Sequence, residues 1–183
     1  MLNLIRVTEG DKLAAHNILL LLEEHPEWWG IHRERQSYTG SAHKDTETIY
    51  TRGPVAFTPE EYSGNASAVT FPVDAQLLWA LHKLTEPALR IIRPEQVGYV
   101  MIVRLKAGGV ITPHIDEGVY ADHYSRFHIA LSGGPNEALI VGDEEVHMEP
   151  GECWWFNHKV NHFADNPHDS DRIHVIFDVV LPD

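Results

Sequence analysis

From Pro94 to the end of the chain, apolar and polar residues alternate with a period of two, in short runs cut by glycine and proline turns. Side chains two apart on a strand share a face, so this alternation describes strands buried on one side. The runs are Val97–Lys106, Val110–Asp116, Ser125–Ser132, Ala138–Val141, Glu145–Met148, Cys153–Asn157 and Arg172–Leu181. Turn-forming clusters separate them: Ala107-Gly108-Gly109, Gly133-Gly134-Pro135, Gly142-Asp143 and Pro150-Gly151. Many short strands with little helix between them predict an antiparallel sandwich or barrel, a double-stranded β-helix of the jelly-roll or cupin type.

The first half reads differently. Leu13, Ala14, Ile18, Leu21 and Leu22 recur at helical spacing, with Asp11 as N-cap and Pro26 as stop. A second helix is expected over Asp74–Ile92, capped by Asp74 and kinked or divided at Pro87. Between the helices, a region containing Gly30, Gly40, Gly53, Pro54, Pro59 and Gly64 holds one short strand, Thr48–Thr51. The expectation is mainly β with N-terminal helices on one outer face. At 183 residues the chain makes one domain. Residues 97–183 would form the jelly-roll core, and residues 1–96 a helical and irregular support that selects substrate.

Charge narrows the partners. The formal net charge is −13 and no run of Lys or Arg exists, so extended binding to nucleic acid or to an anionic membrane is not expected. The longest apolar run, Ile18 to Leu22, is far below a membrane span, and no targeting segment is read. A single cysteine, Cys153, forms no internal disulfide and fits a reducing, cytoplasmic compartment.

Thirteen histidines invite a search for an organised subset. A His-x-acid pair occurs five times: His25/Glu27, His32/Glu34, His43/Asp45, His114/Asp116 and His147/Glu149. Only His114/Asp116 follows a long strand, a Gly-Gly turn and a second strand, which would set it on rigid sheet at a barrel mouth. An imidazole and a carboxylate on one face are two-thirds of a two-His-one-carboxylate iron site. The third ligand lies downstream, with His162 and His158 as rivals that spacing separates weakly. From His162 the chain returns through Asn166 and Pro167 to Arg172. An arginine inside an apolar barrel needs an anion, and guanidinium is the matching fork for a carboxylate. Arg126 and His128 share a face of their strand and would line the same cavity. Plainer readings stand beside these: Arg172 paired with Asp169 or Asp171, His128 as a core histidine, and Trp154, Trp155 and Phe156 as core aromatics.

Several stretches occur together and in order: Val103 to Gly109 followed by Pro113-His114-Ile115-Asp116; Arg126 to Leu131; Pro150-Gly151-Glu152 with Trp155-Phe156; His162 with Asn166; and Asp171-Arg172-Ile173-His174. His43 to Ile49 adds a weaker upstream match. In this set the chain resembles the aspartyl/asparaginyl β-hydroxylase family of Fe(II)/2-oxoglutarate oxygenases, to which bacterial proline hydroxylases are related. The resemblance implies Fe(II) held by His114, Asp116 and His162, and favours His162 over His158. It implies 2-oxoglutarate contacts from Arg172, His128 and Arg126, with O2 as second co-substrate.

Substrate selection is expected around the mouth, from Trp28, Trp29, Arg33, Arg35, His43, Arg52, Arg104, Tyr120 and Tyr124. The two tyrosines would sit in a lid loop. Aromatic and arginine residues suit a free or peptidyl amino acid. The competing readings are a metal cupin that works without 2-oxoglutarate, and a non-catalytic metal-binding cupin module.

Overall fold

The computed structural model describes residues 2–37, 39–58, 66–134 and 137–182; Pro59, Gly64 and Pro135, named above as turn formers, lie outside them. In chain order the elements are β1 (Leu4–Thr8), α1 (Lys12–Glu24), a 3-10 turn (Pro26–Trp28), α2 (Glu34–Ser37), β2 (Thr46–Gly53), β3 (Val69–Thr70), α3 (Ala75–Ile92), β4 (Gln96–Leu105), β5 (Val110–His114), α4 (Val119–His123), β6 (Ser125–Ala130), β7 (Ala138–Val141), β8 (Glu144–His147), β9 (Cys153–Phe156), β10 (His162–Asp165) and β11 (Arg172–Val180).

Two antiparallel sheets result. The larger runs β1-β9-β6-β11-β4-β2-β3 and the smaller β5-β10-β7-β8. Period-two parity decides what each face of the larger sheet meets. On β11, Ile173, Val175, Phe177 and Val179 join the core under α1 and α3, which contribute Ala15, Ile18, Leu22, Leu77, Leu81 and Leu84. The alternate residues Arg172, His174, Ile176 and Asp178 point the other way, towards the space between the sheets. The same split on β6 sends Phe127 and Ile129 to the helices and Arg126 and His128 inward. The helices therefore cover one face, as the sequence predicts. Cavity-lining side chains occupy the other.

Both expected N-caps form. Asp11 accepts from Ala14 N at 2.9 Å, and Asp74 accepts from Gln76 N and Leu77 N. Each contributes about 1 kcal/mol. Pro87 does not divide α3, which runs unbroken from Ala75 to Ile92. Pro87 and Lys83 both lie on the exposed side of α3, where the helical hydrogen bond that proline cannot donate costs least. The first half of the chain also supplies more sheet than expected: β1 caps one edge beside β9, β2 extends to eight residues beside β4, and β3 closes the other edge.

Candidate functional site

Cross-strand pairing builds the site. His162 on β10 lies directly opposite His114 on β5, which puts both imidazoles on one face with ring centroids 4.3 Å apart. Asp116 is not on the strand, which ends at His114. Its backbone N–H instead donates to the His158 carbonyl at 3.0 Å, tying the segment after β5 to the turn before β10. One donor atom from each of His114, Asp116 and His162 lies within 4.8 Å of the other two, the only such cluster of three or more among the described residues.

The protonation pattern suits a cation. His114 Nδ1 is 2.8 Å from the Thr112 carbonyl and His162 Nδ1 is 3.0 Å from the Val160 carbonyl. A carbonyl only accepts, so each Nδ1 carries the proton and each Nε2 presents its lone pair. Burial pushes His162 down to about 4 and lowers His114 too, so both stay neutral near pH 7. Burial alone would raise the Asp116 carboxyl, but the Arg126 guanidinium, with His158 and His162 nearby, holds it well below the usual carboxylate range. Two imidazoles and one carboxylate fit Fe(II) with coordination positions left open. His158 stands behind the carboxylate, its Nδ1 3.4 Å from Asp116 Oδ2, and is not one of the three converging donors.

Arg172 opens β11 on the inward face and is 5% exposed. Its Nε donates to His174 Nε2 at 3.2 Å and its NH1 to the Ala138 carbonyl at 3.4 Å. The nearest carboxylate is Glu137 at 3.9 Å, rather than Asp169 or Asp171. Burial draws the guanidinium down to about 10 against the opposing pull of Glu137 and Asp165, so it remains a buried cation with a carboxylate only at the edge of ion-pair distance. Arg172, His174, His128, Arg126, His162 and His114 all line one cavity between the sheets, walled by Leu139, Phe156 and Ile176. His174 was not expected there. The same-face rule applied to Arg172-x-His174 was enough to find it.

Arg126 lines this cavity, yet three of its N–H groups are directed at carboxylates: Nε and NH2 at Asp178, and NH1 at Asp116. His128 is held neutral, well below its usual pKa, by burial and then by Arg126 and Arg172. It packs against Phe156 and His174.

A second, outer chamber shares Arg35, His43, His114 and Arg126 with the inner one and adds Asp116, Tyr50, Phe57, Tyr99, Met101 and Tyr120. Of the residues expected at the mouth, Arg35, His43 and Tyr120 line it. Arg35 and His43 are both buried, with Arg35 NH2 2.9 Å from His43 Nε2. Tyr120 and Tyr124 do not form a lid. They are 4% and 3% exposed, and pack with Tyr99 because their hydroxyls have inward partners, Tyr120 with Asp178 and the Tyr99 N–H, Tyr124 with Gln96 and the Ala66 carbonyl. Arg104 falls on the opposite parity of β4, where it pairs with Glu47 and covers the Trp29 ring. Arg52 follows a register shift in β2 and bonds the Val97 carbonyl and Thr70. Trp28 stacks on His25 and Arg33 bonds the Gly30 carbonyl, both away from the chambers.

Comparison with known proteins bears on this geometry. The family model for aspartyl/asparaginyl beta-hydroxylase matches residues 42–182. An L-proline cis-4-hydroxylase of Rhizobium meliloti (strain 1021) is 28% identical over 116 residues, which are 63% of this chain and 40% of that protein. The chain thus spans well under half the length of this curated relative. A viral collagen prolyl hydroxylase from Paramecium bursaria Chlorella virus-1, solved with 2OG, superposes with a TM-score of 0.59 at 9% identity, over 99% of this chain and 97% of that one. A Pseudomonas putida prolyl-4-hydroxylase superposes with a TM-score of 0.57 at 11% identity, over 99% and 94%. At such identities the structural likeness concerns the fold. No described helix is long and apolar enough to cross a membrane.

Proposed function

The chain belongs to the aspartyl/asparaginyl β-hydroxylase family, and from that premise we propose that it is an Fe(II)- and 2-oxoglutarate-dependent dioxygenase hydroxylating an unactivated C–H bond of a free or peptidyl amino acid. One observation carries the reading: of the three converging donors, His114 and His162 share a cavity with the buried cation Arg172, and Asp116 borders the adjoining chamber. Those three residues would hold the iron. Arg172 would fork onto the far carboxylate of 2-oxoglutarate, with His174 and His128 shaping the slot around it. When bound, iron and 2-oxoglutarate supply the activation of O2 and the oxidising equivalents.

The protein's own part is orientation and exclusion of water. Leu139, Phe156 and Ile176 keep the inner slot apolar. The outer chamber, lined by Tyr50, Phe57, Tyr99, Met101 and Asp116, would take the substrate beside the metal. Arg35 and His43 border both chambers and are candidates for orienting a polar head group. The R. meliloti relative and the two prolyl hydroxylases favour an amino-acid or peptidyl substrate. A metal cupin working without 2-oxoglutarate would leave Arg172 only its contacts with Glu137, His174 and the Ala138 carbonyl.

The test is a panel of free amino acids and short peptides supplied with Fe(II), ascorbate and 2-oxoglutarate, followed by succinate release. At least one member should stimulate release, and His162→Ala should abolish the stimulation. Silence across the panel contradicts the substrate class; full activity in His162→Ala contradicts the site.

A further inference from the structure

The two oxygens of Asp116 are treated differently. Oδ1 lies 3.6 Å from His114 Nε2, on the side of the converging donors. Oδ2 accepts from Arg126 NH1 at 2.7 Å. Arg126 is in turn gripped from behind. It sits opposite Asp178 in the β6–β11 register, and its Nε and NH2 donate to Asp178 Oδ1 and Oδ2 at 2.8 and 2.9 Å. Asp178 is only 1% exposed and lines neither chamber. Its Oδ2 also accepts from the Tyr120 hydroxyl at 3.0 Å, and that hydroxyl accepts from Tyr99 N at 2.6 Å.

A carboxylate buried this deeply is expensive to maintain, and its partner Arg126 already has one counter-ion in Asp116. Packing alone gives no reason for a second. Resting on the iron-site reading above, we propose that Asp178 is a positioning residue for the metal: it anchors Arg126 so that Asp116 offers the cation one oxygen and keeps the other capped.

A guanidinium released near a lone carboxylate closes a two-pronged fork onto both oxygens. Here the Nε/NH2 edge is turned to Asp178, and of the N–H groups that remain only one on NH1 bonds Asp116, at Oδ2. Oδ1 stays available. Charge acts in the same direction. Asp178, Arg126 and Asp116 together carry a net −1, whereas without the Asp178 charge the cluster is neutral and attracts a dication less. Tyr120 fixes the anchor itself, which gives its buried hydroxyl a purpose that a lid role did not.

Titration of the metal-free protein with Co(II), a stand-in for Fe(II) with a visible spectrum, tests this. Asp178→Asn preserves shape and removes the charge. It is expected to raise the Co(II) dissociation constant roughly 10- to 100-fold, as losses of partners behind metal ligands do. The visible spectrum should change shape as well, because Asp116 then presents its oxygens differently. A merely structural role for Asp178 would leave both unchanged while lowering the unfolding temperature. Wild-type affinity and spectrum in a folded Asp178→Asn protein overturn the proposal. Should that variant not fold, Arg126→Lys keeps the charge, loses the fork and carries the same expectation; wild-type affinity there also overturns it. His114→Ala separates the two levels. If it binds Co(II) as well as wild type does, the iron-site reading itself fails and the proposal with it. If it loses Co(II) while Asp178→Asn does not, only the positioning role fails.

Discussion

Replacing Arg172 with lysine isolates the fork from the charge. Arg172 is 5% exposed at the inner end of the cavity, with Nε on His174 Nε2 and NH1 near the Ala138 carbonyl. Lysine keeps a cation against the buried Glu137, 3.9 Å away, so the fold is not asked to bury an unopposed carboxylate. What would disappear is one of the two parallel hydrogen bonds proposed to reach the co-substrate carboxylate. A hydrogen bond to a charged group contributes about 1.5–3 kcal/mol. At about 1.4 kcal/mol per decade, the loss predicts a rise in the 2-oxoglutarate dissociation constant of roughly 10- to 150-fold. Titrating 2-oxoglutarate into metal-loaded wild type and variant measures this directly, with Co(II) affinity as the control that the three ligands are undisturbed. A 2-oxoglutarate constant within about twofold of wild type would refute the argument, because another group would then hold that carboxylate.

Other perturbations test separate links. Asp116→Ala should abolish substrate-stimulated succinate release by removing the one carboxylate of the triad; retained turnover would count against it. A Cβ at Gly98 would lie 2.5 Å from the Tyr120 hydroxyl, so Gly98→Ala should lower stability by about 1–3 kcal/mol in a denaturant titration, and a neutral result would mean the Tyr120 packing yields. His128 and His174 are buried neutral, well below the usual 6.5, mainly by burial. The unfolded chain therefore binds more protons as pH falls through about 6.5, and the metal-free protein should lose stability progressively below that pH; a melting temperature flat from pH 8 to 5 would contradict it. Burial pushes the Cys153 thiol up to about 12, so Ellman's reagent at pH 8 should leave it unmodified until the protein unfolds.

Much of this was legible because strands obey parity. The alternation after Pro94 marks the seven runs that became strands. The pairs 126/128 and 172/174 do share the inward faces of β6 and β11, whereas 114/116 converges for another reason, Asp116 lying beyond the end of β5 and bonded back to the His158 carbonyl. What parity could not tell is which face of a strand is the inner one. Arg104 and Arg52 were read as mouth residues but lie on the helix side, and in Arg52's case a register shift in β2 intervenes. Residue type misled at Tyr120 and Tyr124: an aromatic in a short connection looks like a lid until its hydroxyl is seen to face inward to Asp178 or Gln96. β10, four residues long, was too short to announce itself, and the direct pairing of His162 with His114 is a long-range fact that no local pattern contains. Asp178 was invisible for a similar reason, since its significance lies in a partner 52 residues away.

In the proposed site, 2-oxoglutarate lies in the cavity of Arg172 and reaches the metal at His114 and His162. Adding 2-oxoglutarate to the Fe(II)-loaded protein under anaerobic conditions tests it most directly, by absorbance. Chelation of the iron by the keto-acid end should produce a visible metal-to-ligand charge-transfer band in wild type and none in His162→Ala. A wild-type protein that binds Fe(II) but develops no band would contradict the account.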